Sequence, residues 1–381
     1  MGRGIYIHIP FCSAKCGYCD FLSFDNKQNE WTVYKDALIN ELSLLEEPAD
    51  TIYIGGGTPT VWPAPFLSEL LQALPPATID AEITCEANPG TLTAEKISVL
   101  TAGGVNRISL GLQAWQPHLL KAIGRQSCQK IFLESYHALR HAGINNINID
   151  IMFALLGQRL ADWEETLKEV TALEPEHISA YALTPDAVDE ETDRLMYHRC
   201  KAFLRERGYM QYELSNFCKP GFESKHNLRY WTLKPYTGFG LGAHSFDGKS
   251  RWHNTTDMKK YLSLNNIYSE SKTSTKISSE VFDSEQPPVA QKVNSFLRLS
   301  ITEDMTEADA MAEFMFLGLR MTKGVSANAF IEKFGQHPHE IYAHWITKMK
   351  KDGLLQEKND HIFLTDFGMD LANLVMAGFL E

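Results

Sequence analysis

The chain is 381 residues long with 44% apolar and 22% charged side chains, enough to bury the core of one large domain and a smaller one. A formal net charge of -12 excludes affinity for a phosphate backbone built on clustered Lys and Arg, so nucleic acid is not an expected partner. Of the seven cysteines, three crowd between Cys12 and Cys19 while Cys85, Cys128, Cys200 and Cys218 stand alone; this excludes a disulfide framework and points to a reducing compartment and a metal.

No basic start leads into an apolar run, because Ile5–Ile9 is only strand-length and is interrupted by His8. No apolar stretch is long enough to span a membrane, so a cytoplasmic location is expected. The first 185 residues alternate β-type runs with helical periods, the pattern of a parallel sheet covered by helices. Strands are predicted at Ile5–Ile9, Thr51–Gly55, Ile79–Glu86, Val105–Leu110, Asn145–Ile151 and His177–Leu183. Amphipathic helices fall between them at Val33–Leu45, Pro65–Leu74, Ala94–Leu100, Gln129–His141 and Ala161–Leu173. About six β/α units suit an incomplete (β/α)6 barrel better than a closed eight-fold one.

A further helix is predicted at Glu190–Arg207, followed by the aromatic, glycine-punctuated stretch Tyr209–Trp252, where periodicity fades. Residues 264–305, rich in Ser, Thr, Asn, Lys and Glu around Pro287-Pro288, are predicted to be a linker or surface excursion. The remainder, 306–381, gives helices at Thr306–Met321, Ala327–Phe334 and Pro338–Lys351, a hairpin (Leu354–Glu357, Ile362–Leu364) and a helix from Asp366. That order resembles a winged helix. Its 7 basic against 11 acidic side chains, a net of -4, oppose a DNA-facing role and favour packing or docking. The expected organisation is therefore 1–185 partial barrel, 186–263 extension, 264–305 linker and 306–381 winged-helix-like domain.

Cys12-Ser-Ala-Lys-Cys16-Gly-Tyr-Cys19 is a C-x3-C-x2-C run directly after the first strand, in a loop that Pro10 and Gly17 keep from becoming helix. A [4Fe-4S] cube ordinarily takes four cysteines, so three leave one iron open for a chelating cosubstrate. The alternative is a structural zinc site with His8 as fourth ligand, although no second cysteine knuckle accompanies it. Gly55-Gly56-Gly57-Thr58-Pro59 follows the second strand, where glycines admit a close approach that a Cβ would block; a phosphate loop is the other reading, but neither GxGxxG nor Gly-Lys-Ser/Thr is present. Glu86, Asn88, Gln113, Arg125, Asp150 and the Tyr181-Ala182 pair fall at or beyond the carboxyl ends of predicted strands, the ligand-binding edge of α/β barrels. Each alone could equally be a helix cap or turn residue.

The cysteine loop with Tyr18 before its last cysteine resembles the signature of the radical S-adenosylmethionine (SAM) superfamily, and the resemblance runs through nearly the whole chain. It implies a [4Fe-4S] cluster on Cys12, Cys16 and Cys19, with SAM as cosubstrate. The glycine run resembles the family's motif for the SAM amino group. Within the coproporphyrinogen-oxidase-like branch, Tyr6, Gly56, Gly57, Thr58, Glu86, Gln113, Arg125, Asp150 and Ala182 occupy positions matching the SAM-binding set.

The oxidases of this branch carry a fourth cysteine two residues after the third, where this chain has Phe21, and a longer segment before the cluster. Oxidation of coproporphyrinogen is therefore not expected. His226-Asn227-Leu228-Arg229-Tyr230-Trp231 resembles the HNxxYW motif of the HemW heme chaperones. A neutral imidazole is a standard ligand for heme iron, so the resemblance implies heme on His226, with Tyr230 and Trp231 packing on the macrocycle. The bland alternative is that His226 and Asn227 are turn residues and the aromatics core. The family resemblance further implies dimerisation and delivery of heme to membrane respiratory proteins, with peripheral association at the membrane. The same residues would serve two rivals: an oxygen-independent coproporphyrinogen III oxidase or HemN-like methyltransferase, and an RNA-modifying radical SAM enzyme that the acidic balance disfavours. One stretch departs from the family pattern: Phe153-Ala-Leu-Leu-Gly157-Gln158 stands where Gly-Leu-Pro-Gly-Gln is expected.

Overall fold

The computed structural model describes residues 2–45, 47–125, 128–183, 189–263 and 301–380. It forms two compact units, Met1–Gly111 with Ile123–Asn145 and Pro235–Glu303, and Leu112–Ala122 with Asn146–Lys234 and Asp304–Glu381.

In the first unit, strands β1 (Arg3–Ile9), β2 (Ala49–Gly56), β3 (Ala77–Ala87) and β4 (Arg107–Gln113, its last two residues counted with the second unit) pair in parallel in that order. All residues of β4 are buried, as expected of a parallel strand covered on both faces. Helices α1 (Trp31–Leu42), α2 (Ala64–Gln72) and α3 (Ala94–Ala102) make the crossovers. In the second unit α4 (Pro117–Ala122) is a short helix. The first unit also holds α5 (Gln129–His141), which buries Phe132, Ser135, Tyr136 and Leu139, a helical 3-4 spacing on one face. In the second unit β5 (Ile147–Phe153) and β6 (His177–Ala182) pair in parallel and are joined by α6 (Leu160–Ala172). The sequence-level reading of an α/β fold with an incomplete (β/α)6 barrel and a smaller C-terminal helical module holds.

The stretch in which periodicity fades is nevertheless structured. After α7 (Glu190–Arg205) come the hairpin β7 (Met210–Glu213) and β8 (Asn216–Cys218), the latter antiparallel to β6, and the short helix α8 (Lys225–Trp231). In the first unit β9 (Tyr236–Phe239) pairs in parallel with β1, and β10 (His244–Phe246) and β11 (Ser250–His253) continue antiparallel, with β12 (Ile301–Asp304) beyond. Strands of three or four residues are too short to show a period, which is why they escape pattern reading. The predicted excursion lies outside the described residues except at its end, where 301–304 is strand.

One buried carboxylate ties α1 to the added strands. Glu41 is 1% exposed and accepts from Gly240 N–H at 2.9 Å, Asn254 Nδ2 at 2.7 Å and the Tyr261 hydroxyl at 2.6 Å. Burial pushes its carboxyl up, and the hydrogen bonds pull it back down.

The C-terminal module of the second unit comprises α9 (Glu307–Gly318), α10 (Ala327–Phe334), α11 (Pro338–Lys351), the sheet β13 (Val325–Ser326), β15 (His361–Leu364), β14 (Leu355–Lys358), and helices α12 (Asp366–Asp370) and α13 (Ala372–Ala377). Met315, Leu319, Phe330, Ile346 and Val375 are fully buried at its centre, each contributing about 1.5–3 kcal/mol. The module packs against its own unit, in line with the packing role inferred from its acidity. Backbone bonds join Leu214 N–H to the Arg320 carbonyl and Thr322 N–H to the Tyr212 carbonyl. The Arg320 guanidinium lies 4.3 Å from the Trp231 ring centre and 3.4 Å from Glu213 Oε2, a carboxylate with no exposure. Among the described residues no helix is long and apolar enough to cross a membrane.

Replacing Arg320 with Ala strands the Glu213 charge, and a loss of about 3 kcal/mol is expected. Burial already raises the Glu213 pKa, so lowering the pH lets the carboxyl take a proton and relieves the strain. Urea denaturation should show the loss in Arg320→Ala shrinking from pH 8 to pH 5.

Candidate functional site

Strand β1 ends at Ile9, and Pro10 lacks the N–H that would extend the ladder. The chain leaves the sheet here and returns at Phe24, whose N–H donates to the Pro10 carbonyl at 2.7 Å while its carbonyl accepts from Cys12 N–H at 2.9 Å. A parallel bridge between Phe11 and Phe24 thereby closes residues 12–23 into a loop. Cys12, Cys16 and Cys19 all lie on it and are partly exposed. Cys19 N–H donates to the Cys16 carbonyl at 3.2 Å, and Lys15 Nζ to the Ser23 carbonyl at 3.2 Å, so the loop is braced internally.

The donor set separates the two metal readings. His8 is 6% exposed, and both its nitrogens are engaged, Nε2 with the Leu22 carbonyl at 2.8 Å and Nδ1 with the Tyr6 hydroxyl at 2.8 Å. A carbonyl only accepts, so Nε2 carries the hydrogen and Nδ1 receives that of Tyr6, leaving no lone pair for a metal. Burial also pushes the His8 pKa down, which favours this neutral form. Three thiols on one anchored loop, with no His8 nitrogen to join them, fit a cube that takes three protein ligands.

The glycine run has a use that its sequence alone does not reveal. A Cβ on Gly57 would stand 2.5 Å from the Phe11 carbonyl oxygen, and one on Gly56, at φ +109°, 2.6 Å from the His8 ring. A Cβ on Gly55 would meet the Glu86 carboxyl at 2.8 Å. The sequence reading expects these glycines to admit a ligand, and the structure shows them first admitting the chain's own cysteine loop and Glu86. Gly57 N–H donates to the Ile9 carbonyl at 2.9 Å, and Thr58 N–H to the Phe11 carbonyl at 2.7 Å. Glu86 accepts from the Tyr53 hydroxyl at 2.7 Å and Gly56 N–H at 3.2 Å.

Thr58, 2% exposed, donates its hydroxyl to Cys12 Sγ at 3.7 Å and accepts from Asn88 Nδ2 at 2.7 Å. Arg125 Nη1 donates to Asn88 Oδ1 at 2.7 Å. Burial pushes the Cys12 thiol up, opposed by hydrogen bonds from Thr58 and Ser23. Burial also pushes the Tyr18 phenol up, against the pull of the nearby Arg125 charge. Thr58 thus contacts Cys12 directly, Arg125 reaches it through Asn88 and Thr58, Tyr6 reaches the loop through His8 and the Leu22 carbonyl, and Glu86 holds Gly56.

Four expected site residues belong to the second unit. Gln113 ends β4 in the left-handed region at φ +72° and is buried. Asp150 lies in the middle of β5, accepting from Asn148 Nδ2 at 2.8 Å. It was expected near a strand end, but Met152 and Phe153 continue the ladder opposite Tyr181 and Ala182. Ala182 closes β6 and is exposed. His226, on α8, has no exposure, and its Nε2 shares a hydrogen with the Tyr230 hydroxyl at 2.8 Å.

Sequence reasoning missed Tyr53, which holds Glu86, and the bridging role of Asn88. The signal for the second was period-two spacing, since Asn88 continues the face of Glu86.

The Radical SAM superfamily pattern matches residues 6–170 and the HemN C-terminal domain matches residues 305–371. Together with the fold and the three-cysteine loop, this defines the class as a radical SAM protein. Over its whole length the chain is 34% identical to the heme chaperone HemW of Bacillus subtilis, covering 99% of each. It is 36% identical to that of Escherichia coli across 63% of this chain and 69% of that one. The solved coproporphyrinogen III oxidase (HemN) from Escherichia coli superposes with a TM-score of 0.81 at 20% identity, covering 99% of this chain and 90% of that one. The chain belongs to the HemN/HemW family of radical SAM proteins.

Gly57→Ala should force the cysteine loop off the sheet, because its nearest neighbours are backbone atoms that cannot rotate away. A loss of about 1–3 kcal/mol is expected, read by thermal or urea denaturation of the purified protein; unchanged stability would contradict the packing described.

Proposed function

We propose that the protein is a heme chaperone that carries a [4Fe-4S] cluster on Cys12, Cys16 and Cys19, binds SAM beside it, and delivers heme to membrane respiratory proteins. The observation that supports this most is likeness to a HemW protein across 99% of both chains. The open donor set of three thiols, with both His8 nitrogens engaged elsewhere, supports the cluster. When bound, the cluster supplies an electron to the sulfonium of SAM. The chain's part is to hold the cluster at three corners and to present Tyr6, Tyr18, Gly56, Gly57, Thr58, Glu86 and Arg125, all of the first unit, to the cosubstrate. The protein acts in the cytoplasm, forms homodimers that depend on the cluster, and approaches the membrane to hand over heme.

His226 is the proposed heme ligand. Its ring is sheathed, so ligation requires the Tyr230 hydroxyl to give up Nε2 and the α8 turn to open. The likeness in fold to HemN supports a second reading, an oxidase or a HemN-like methyltransferase. Phe21, 70% exposed beside Cys19 where the oxidases carry a further cysteine, weighs against it.

After anaerobic reconstitution, Ala at Cys12, Cys16 or Cys19 should abolish bound iron and sulfide. Heme titration should give a Soret shift that is lost in His226→Ala and reached faster in Tyr230→Phe, which removes the hydroxyl bonded to Nε2. Turnover of coproporphyrinogen III would reject the chaperone reading, and an unaltered shift in His226→Ala would reject the ligand.

A further inference from the structure

Arg125 has only donors, so the atom of Asn88 facing it must be the carboxamide oxygen. That choice fixes the other end of the amide. Its Nδ2 then points at Thr58 and donates at 2.7 Å. While one lone pair of Thr58 accepts from Asn88, its one hydrogen is donated to Cys12 Sγ at 3.7 Å. The direction of the chain starts at a guanidinium, which offers donors and no acceptor. Thr58 is 2% exposed, so water does not compete for its hydroxyl.

Resting on the cluster reading above, we propose that Arg125, Asn88 and Thr58 form a directional relay that delivers a charge-polarised hydrogen bond to Cys12 and so raises the reduction potential of the cluster. Hydrogen bonds to cluster sulfurs stabilise the reduced state, in which the sulfurs carry more negative charge. Asn88 in this account is a positioning residue that acts through Thr58. It selects which way the Thr58 hydrogen points.

The test is an EPR-monitored redox titration of the anaerobically reconstituted full chain, with iron and sulfide counted in each sample. Thr58→Val keeps the shape and removes the donor, and its midpoint should move to a more negative potential. Thr58→Ser should keep the wild-type midpoint. Asn88→Asp keeps the bond to Arg125 but cannot donate to Thr58, whose hydrogen then turns to the new carboxylate and leaves Cys12 bare. Its midpoint should fall as well. A wild-type cluster whose midpoint is unmoved in Thr58→Val, or equally moved in Thr58→Ser, would overturn the relay alone. Absence of iron and sulfide in reconstituted wild type would overturn the cluster reading and the relay with it.

Discussion

Backbone pairing of Phe11 with Phe24 is the constraint on which the cysteine loop depends. It closes residues 12–23 at their base and anchors three thiols at the carboxyl end of β1, a strand paired in parallel on both sides by β2 and β9. A rigid foundation matters because ligands on a loop hold a multi-iron group only if their backbone does not wander. Gly57 lets Phe11 lie against the next strand end, and the His8 ring, under Gly56, pins the far side of the loop through the Leu22 carbonyl. The glycine run and the cysteine run are two halves of one packing arrangement.

Buried polar groups recur as fasteners within each unit, and each is given partners before it is sealed from water. Glu41 gathers Gly240, Asn254 and Tyr261 onto α1, and His8 joins Tyr6 to the cysteine loop. Glu213 holds the C-terminal module through Arg320, which in turn rests on Trp231. Unpaired, any of these would cost several kcal/mol, or about 1–3 for a neutral group. The HNxxYW run therefore has structural duties alongside the heme role proposed for it: Tyr230 holds His226, and Trp231 seats the arginine that neutralises Glu213. Any release of His226 to a ligand must work against that packing.

Legibility in the sequence followed the physics of each signal. Long apolar periods and helix caps are local, so α5, α10 and α11 begin and end where the pattern places them, and the first four parallel strands lie within a few residues of their predicted bounds. The cysteine spacing is likewise local, and it identified the loop. Asp150 was placed wrongly along its strand because a strand's end depends on its neighbour: β5 runs on to Phe153 only while β6 offers Ala182 opposite.

From the sequence alone came the α/β class, the incomplete barrel, the acidic helical module and the three-thiol loop, all written in spacings shorter than about one helix or strand. Only the tertiary structure decided that both His8 nitrogens are engaged, that the glycines accommodate protein, that His226 is sealed, and that Asn88 joins Arg125 to Thr58. The engagement of His8 Nε2 by Leu22 and the Asn88 bridge turn on single hydrogen bonds between residues distant in the chain, up to 37 positions for Arg125 and Asn88. Residue order does not encode such bonds, because they arise only when packing brings donor and acceptor within about 3 Å of each other.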